Sequence, residues 1–434
     1  MNRHILIVSP HFPPTNAADH QRVRLLLPYL EKEGWDPTVL AVHANAVEMV
    51  QDSYLEKTLP QDLHVHRTSA IPQSYTRRIG LGSLGLRSLP YLWRAGAQLL
   101  KKRKFDLVYF STTVFTAMVL GPLWKKQFGI PYLVDFQDPW FNDYYERTGT
   151  RPPGGKFKYG FSQLQAKFLE PSVVQNASHI ICVSPAYKTM LIQRYSTLTD
   201  EQFSILPFGA NELDFQLLEQ FAIKQSIFDP HDGYKHWVYV GRGGLDMAFS
   251  LRAFFAALSN LRSEYPTRWD TVRLHFIGTS YAQAGQGVKT IEPLAKEFNL
   301  EDIVQEYPDR IPYFVALKCL KDANALIVPG SNDSQYTASK IYPYILANKP
   351  LLAIFHSASS VVNVLKQVDT GKLATFNQEQ DNAHSNLTQQ IEGILQDGYL
   401  ESNCNELNWQ AFEPYTALAM AKEHCRIFES SLST

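Results

Sequence analysis

Two stretches of this chain open in the same way: an apolar strand runs into a turn-forming loop, and an amphipathic helix follows. Residues 5–9 lead through Pro10, Pro13 and Pro14 to a helix expected over 19–33, closed by Gly34. Residues 237–241 lead through Gly243 and Gly244 to a second helix expected over 247–262. Further apolar strands are read at 38–42, 105–111, 132–136 and 179–183, and again at 274–278, 325–329 and 350–355. Strands that are apolar along their whole length are buried on both faces, so alternation with helices predicts parallel sheets covered on either side. A chain of 434 residues exceeds one ordinary core. The expected fold class is therefore α/β, with two doubly wound domains facing across a cleft. They are placed at 1–208 and 209–407 around a linker at 206–211. A closing helix at 408–434 is expected to pack back toward the first domain.

Forty-one Lys and Arg against 42 Asp and Glu leave a net charge of -1, which gives no general pull toward nucleic acid. Cys182, Cys319, Cys404 and Cys425 form no C-x-x-C pair, so neither a zinc site nor a disulfide framework is expected. The first strand begins at once, without room for a signal peptide, and the apolar run at 114–124 is too short to cross a bilayer. The expected location is the cytoplasm, with peripheral contact at the inner face of the plasma membrane. That contact is assigned to residues 63–105, which hold nine cations, no Asp or Glu, and Leu, Tyr and Trp residues between them. A solvated basic face packing its leucines onto the sheet is the competing reading.

The most informative block is 333–354. It reads as a polar loop with Asp333 and Tyr336, then Ser339-Lys340 at a helix mouth, then Lys349-Pro350 feeding a strand. A cation and backbone N–H groups at a helix mouth suit an anion. Gly241-Arg242-Gly243-Gly244 follows a strand and precedes a helix, where glycines allow close phosphate approach and arginine can fork onto it. Turn formation explains the same glycines equally well, since neither a G-x-G-x-x-G run nor a Walker lysine is present. In the first domain His11, Asp19, His20 and Arg22 crowd the loop after the first strand. Asp19 reads first as a helix cap, whereas Arg22 opposes the helix dipole and is expected to face an anionic ligand. Asp138, just past a strand end, is the candidate catalytic residue, orienting or deprotonating an acceptor hydroxyl, against a plain turn cap before Pro139.

In order and spacing these blocks resemble the GT-B glycosyltransferases of the family-four type. The likeness spans nearly the whole layout. It is sharpest at Ser339-Lys340…Lys349-Pro350 and at Asp135-Phe136-Gln137-Asp138-Pro139-Trp140, similar to an Asp-Phe-Arg-Asp-Pro-Trp segment of that family. The resemblance implies two Rossmann-like domains, with a nucleotide-sugar held by the second and an acceptor received by the first. Gly241, Arg242 and Gly243 would meet the diphosphate, Ser339 and Lys340 the phosphates or sugar, and residues 307–313 the base. It implies a glycan or lipid-linked envelope acceptor, retention of configuration, no metal, and no cofactor beyond the nucleotide-sugar as co-substrate. Two glutamates usual in the family fall on Gln335 and Pro343. Proline at 343 predicts a helix that starts late or kinks near Tyr342, and Asp333 is left as the candidate replacement carboxylate. A non-catalytic scaffold and a sugar-nucleotide epimerase or hydrolase are the rival readings.

Overall fold

A strand buried on both faces has to be apolar at odd and even positions alike, and the central strands of this chain meet that demand. The computed structural model describes residues 3–76, 82–142, 146, 155–280, 285–333, 336, 338–378, 380–401 and 407–432. Arg77, Arg78, Gln335 and Cys404 lie outside them. The chain divides into two units, Met1–Gly209 with Ala417–Thr434, and Ala210–Thr416.

The first unit is built on β1 (Arg3–Val8), β2 (Trp35–Val42), β3 (His64–Thr68), β4 (Leu107–Ser111), β5 (Tyr132–Phe136), β6 (His179–Cys182) and β7 (Phe203–Ile205). All are parallel, in the order β3-β2-β1-β4-β5-β6-β7. Alternation along β1 sends Leu6 and Val8 into one core, and Ile5 and Ile7 into the other. The first core lies under the helices Leu84–Lys102, Leu120–Phe128 and Lys156–Asn176. The second lies under the helices Gln21–Leu30 and Ala417–Ser430. Winding reverses between β1 and β4, the switch point beside which ligands bind in open parallel sheets.

The expected closing helix over 408–434 is divided. Residues 409–416 form a short helix and a turn in the second unit, and the long helix begins only at Ala417. It packs on Gln21–Leu30, with Phe428 edge-on to Trp35 at 5.4 Å. Buried His424 donates from Nδ1 to Met420 O (2.8 Å) and accepts at Nε2 from Tyr109 OH (3.0 Å). Burial, followed by nearby Arg22, pushes His424 down to about 3, so the ring stays neutral.

The second unit carries β8 (Lys235–Val240), β9 (Val272–Ile277), β10 (Val304–Tyr307), β11 (Ala325–Pro329), β12 (Leu351–His356) and β13 (Lys372–Phe376). These too are parallel, in the order β10-β9-β8-β11-β12-β13, with the switch point between β8 and β11. The helix Ile341–Ala347 starts late, as Pro343 predicts, so the proline falls in the first turn where no N–H is required. Tyr344 OH accepts from Val240 N (2.5 Å) and donates to Val240 O (3.0 Å), fixing the end of β8.

Two sequence expectations about cations change. Arg22 does not face a ligand. It is fully buried, paired through Nε with Asp135 Oδ2 at 2.9 Å, and its Nη2 donates to Leu206 O at 2.8 Å. Its guanidinium also lies 4.6 Å from the Phe208 ring. The basic stretch 63–105 is likewise not one free face. Arg87 donates to Gly82 O, Ile71 O and Ala46 O, Arg67 to Pro13 O and Glu56, and Arg103 pairs with Asp36. Removing one partner of a buried ion pair strands the other charge. Arg22→Ala is therefore expected to cost about 3–5 kcal/mol, read as a lowered urea midpoint; an unchanged midpoint would contradict this account.

Candidate functional site

Past the carboxyl end of β8 the backbone must run close under a side chain, which explains the first glycine of the loop. A Cβ on Gly241 would stand 2.1 Å from Lys340 Nζ and 3.0 Å from Tyr239 OH, so a side chain there would displace the Lys340 ammonium. Lys340 Nζ donates to Tyr239 OH at 2.6 Å, and that hydroxyl donates to Arg242 O at 2.8 Å. The Arg242 guanidinium forks onto Asp246 at 2.9 and 2.7 Å and lies 4.8 Å from the Tyr336 ring centroid. Gly243 N donates to Thr279 O at 2.7 Å, tying the loop to the end of β9.

The turn after β11 closes the other side of the switch point. Asn332 N donates to Asp246 O (2.8 Å), Asp333 N to Ser331 Oγ (3.1 Å), and Tyr336 N to Asp333 O (3.0 Å). Ser339 precedes Lys340 in the turn that opens the helix Ile341–Ala347. The structure thus gathers Gly241, Arg242, Gly243, Tyr336 and Lys340 around one edge, with Ser339 and Asp333 in the adjoining turns. Residues 307–313 adjoin the β9 loop, but the carbonyls of Tyr307 and Pro308 already accept from Gly278 N and Ser280 N.

Electrostatics set the character of this edge. Burial, then Arg242 and Arg310, push the Lys340 ammonium down to about 7, with Asp246 acting in the opposite sense. Burial works against the Asp246 carboxylate too, yet Arg242 and Ser331 outweigh it and hold the group below the usual carboxylate range. The shift brings the titration of Lys340 toward neutral pH. Asp246 and Tyr239 were missed as members of the site, and Arg310 falls within the 307–313 stretch assigned to the base. Asp246 had a legible signal, four residues after Arg242 across a loop entering a helix, where the pair meets.

At the switch point of the first unit, Asp19 does not cap its helix: the N-terminus of Gln21–Leu30 has no side-chain cap. Its carboxylate instead lies 3.0 Å from His11 Nδ1 and accepts from Thr112 Oγ1 (2.8 Å) and Thr113 N (3.1 Å). Burial opposes that charge, but His11, His20 and Thr112 outweigh it and hold the carboxyl well below its usual range. Gln137 donates to Asp19 O (3.0 Å) and to Ser111 Oγ (2.9 Å), tying the start of the helix Gln21–Leu30 to the ends of β4 and β5. His20, expected on the ligand side, turns inward to donate to Thr15 O at 2.6 Å. Burial first, opposed by Asp19, lowers it to about 4 and keeps it neutral. Asp138 stands exposed two residues past β5. Of the first-unit candidates, the structure joins His11 to Asp19 and assigns His20 and Arg22 to the interior.

No curated protein matches the chain in sequence. Among solved structures, Alr3699/HepE from Anabaena, in complex with UDP and glucose, is similar at a TM-score of 0.63 and 16% identity, covering 99% of this chain and 100% of that one. The UDP-forming alpha,alpha-trehalose-phosphate synthase of Burkholderia vietnamiensis is similar at 0.62 and 12%, covering 100% and 98%. A glycosyltransferase of Rickettsia africae is similar at 0.58 and 11%, covering 99% of each chain. Residues 20–208 match the model of the glycosyl transferase 4-like domain. Residues 20–208 are thus similar to a glycosyl transferase 4-like domain, and the chain has the fold of two Rossmann-like domains found in the GT-B structures.

Proposed function

We propose that this chain transfers a sugar, of the hexosyl class, from a nucleoside-diphosphate donor to an acceptor hydroxyl. The observation that carries the reading is the pairing of Lys340 and Arg242 about one glycine loop at the β8/β11 switch point. The pyrophosphate would meet the loop backbone at 241–244 and the Lys340 ammonium, with Arg242 shared between Asp246 and the ligand. As the bond from sugar to phosphate breaks, negative charge grows on the departing diphosphate. Two positioned cations stabilise that charge more than they stabilise the ground state. The chemistry asked of the site on this reading needs no resident metal. UDP is the first donor to test, because the HepE and trehalose-phosphate synthase descriptions name it for those proteins.

The acceptor side is proposed for the first unit. His11, oriented by Asp19, would position the acceptor hydroxyl, and Asp138 would deprotonate or orient it. An envelope glycan or glycolipid acceptor, met at the cytoplasmic face of the membrane, and retention of configuration both rest on the family resemblance. A scaffold that binds UDP without turnover is the reading to beat; an epimerase or hydrolase would instead turn over UDP-sugar without acceptor.

Lys340→Ala and Arg242→Ala are each expected to weaken UDP binding at least about tenfold, the worth of a lost charge-assisted contact at about 1.5–3 kcal/mol. Calorimetric titration checks it, and unchanged affinity in both variants would move the donor site elsewhere. Affinity also has a pH sign. Lys340 loses its proton above about 7, so UDP binding is expected to weaken from pH 7 to pH 9 by up to about tenfold per unit. Proton uptake on binding at pH 8 should vanish in Lys340→Met, and a flat profile in the unsubstituted protein would remove the charged lysine from donor binding. Asp138→Asn is expected to leave UDP affinity intact while lowering turnover about a hundredfold or more; unchanged turnover would end its catalytic role.

A further inference from the structure

The 21-residue helix Lys156–Asn176 presents an apolar stripe to solvent. Its underside is ordinary core: Ala166, Val173 and Val174 are fully buried with Val134 and Phe136 of β5. On the outside, Phe157 is 97% exposed, Phe161 44%, Leu164 53% and Phe168 71%. Spacings of four, three and four residues place these side chains on one narrow face, about 16 Å long at 1.5 Å per residue. Isolated exposed apolar residues need no explanation, but three phenylalanines and a leucine in register do.

Charge on the same helix is one-sided. Its sequence holds Lys156, Lys158 and Lys167 and a single acid, Glu170. That acid is fully buried, facing inward to Arg194 Nη1 (2.5 Å), Tyr195 OH (2.8 Å) and Phe141 N (3.0 Å). Lys167 is exposed beside Phe168, and the helix's one acid is turned inward. Over the same core, the helix Leu84–Lys102 exposes Trp93, half accessible, beside exposed Arg94.

We propose that this helix docks the protein on an anionic lipid surface, with the phenylalanine stripe in the headgroup boundary and Lys167 over the lipid charges. Aromatic and apolar residues on one face with cations flanking them is the composition that binds in an interface plane. A second copy of the chain is a poorer occupant. A two-fold contact would set this face against itself and bring Lys167 of both copies together. The surface differs from that read in the sequence at 63–105, where Arg67, Arg87 and Arg103 are engaged inside the fold. It stands apart from the donor reading and does not require it.

The test is co-sedimentation of the full chain with vesicles of phosphatidylcholine alone and of phosphatidylcholine mixed with phosphatidylglycerol. Binding to the mixed vesicles is expected, weakening as salt rises from about 0.1 to about 1 M and the screening length falls from about 10 to about 3 Å. Phe157→Ser with Phe168→Ser should lower partitioning at least about tenfold, and Lys167→Glu should lower it on the mixed vesicles alone. All these residues are exposed, so circular dichroism and UDP affinity should be unchanged. An unsubstituted protein that ignores anionic vesicles, or a double variant that partitions as before, would overturn the proposal. So would a dimer in light scattering that the double variant turns into a monomer, since the stripe would then be a contact between copies. Loss of UDP binding with vesicle binding intact would strike the donor reading alone.

Discussion

Each half of this protein depends on a reversal of winding in a parallel sheet. Between β1 and β4, and again between β8 and β11, successive connections leave in opposite directions and part at the carboxyl edge. The gap is lined by loop backbone, where N–H groups and short side chains can approach a ligand without competing for the sheet ladder. Everything chemically notable collects there. His11, Asp19 and Thr112 follow β1 and β4; Gly241, Arg242 and Ser331 follow β8 and β11. The two sites are thus one architectural device used twice with different residues.

The interior of that architecture was readable from sequence, and the edges were not. Four strands went unread: β3, β7, β10 and β13, the outermost strands of the two sheets. β3 reads His-Val-His-Arg-Thr, and β13 opens with exposed Lys372. An edge strand has one neighbour and little cover, so selection for a continuous apolar run is relaxed and charge there discourages pairing with another chain. Central strands such as Leu107–Ser111 and Tyr132–Phe136, buried throughout, carry the opposite signature. The late start of the helix at Ile341 was legible for another reason: proline constrains backbone chemistry locally, without help from tertiary context.

Cations were the least legible feature, because sequence gives a charge but not its partner. Arg22 was expected at a ligand and is paired with Asp135; Arg87 was expected at a lipid surface and holds three backbone carbonyls. Their aliphatic stems make burial feasible, and a guanidinium has five donors with which to satisfy loop carbonyls that regular structure leaves open. Conversely, Asp19 was read as a cap from its position near a helix start, while the long-range contact that decided its role came from Thr112, 93 residues away. Local rules failed where distant strand ends meet, which is where ligand sites form.

In the second-unit site Arg242 and Arg310 act against the charge of Lys340, and Asp246 acts for it. Asp246 is the carboxylate that acts on both cations, and it is already gripped by the Arg242 fork. Lys340 is left with a phenol as hydrogen-bond partner, 2.6 Å away, and with Arg242 and Arg310 raising the cost of its own charge. An ammonium opposed in this way is disfavoured alone, and on the proposed reading a bound dianion would favour it. Proline at 343 offers no side-chain oxygen to compensate it. Arg242 thus opposes the charge of Lys340 more than Asp246 favours it. On the proposed reading a diphosphate would supply counter-charge at this edge, and the opposition that lowers the lysine in the free protein would strengthen its hold on the ligand.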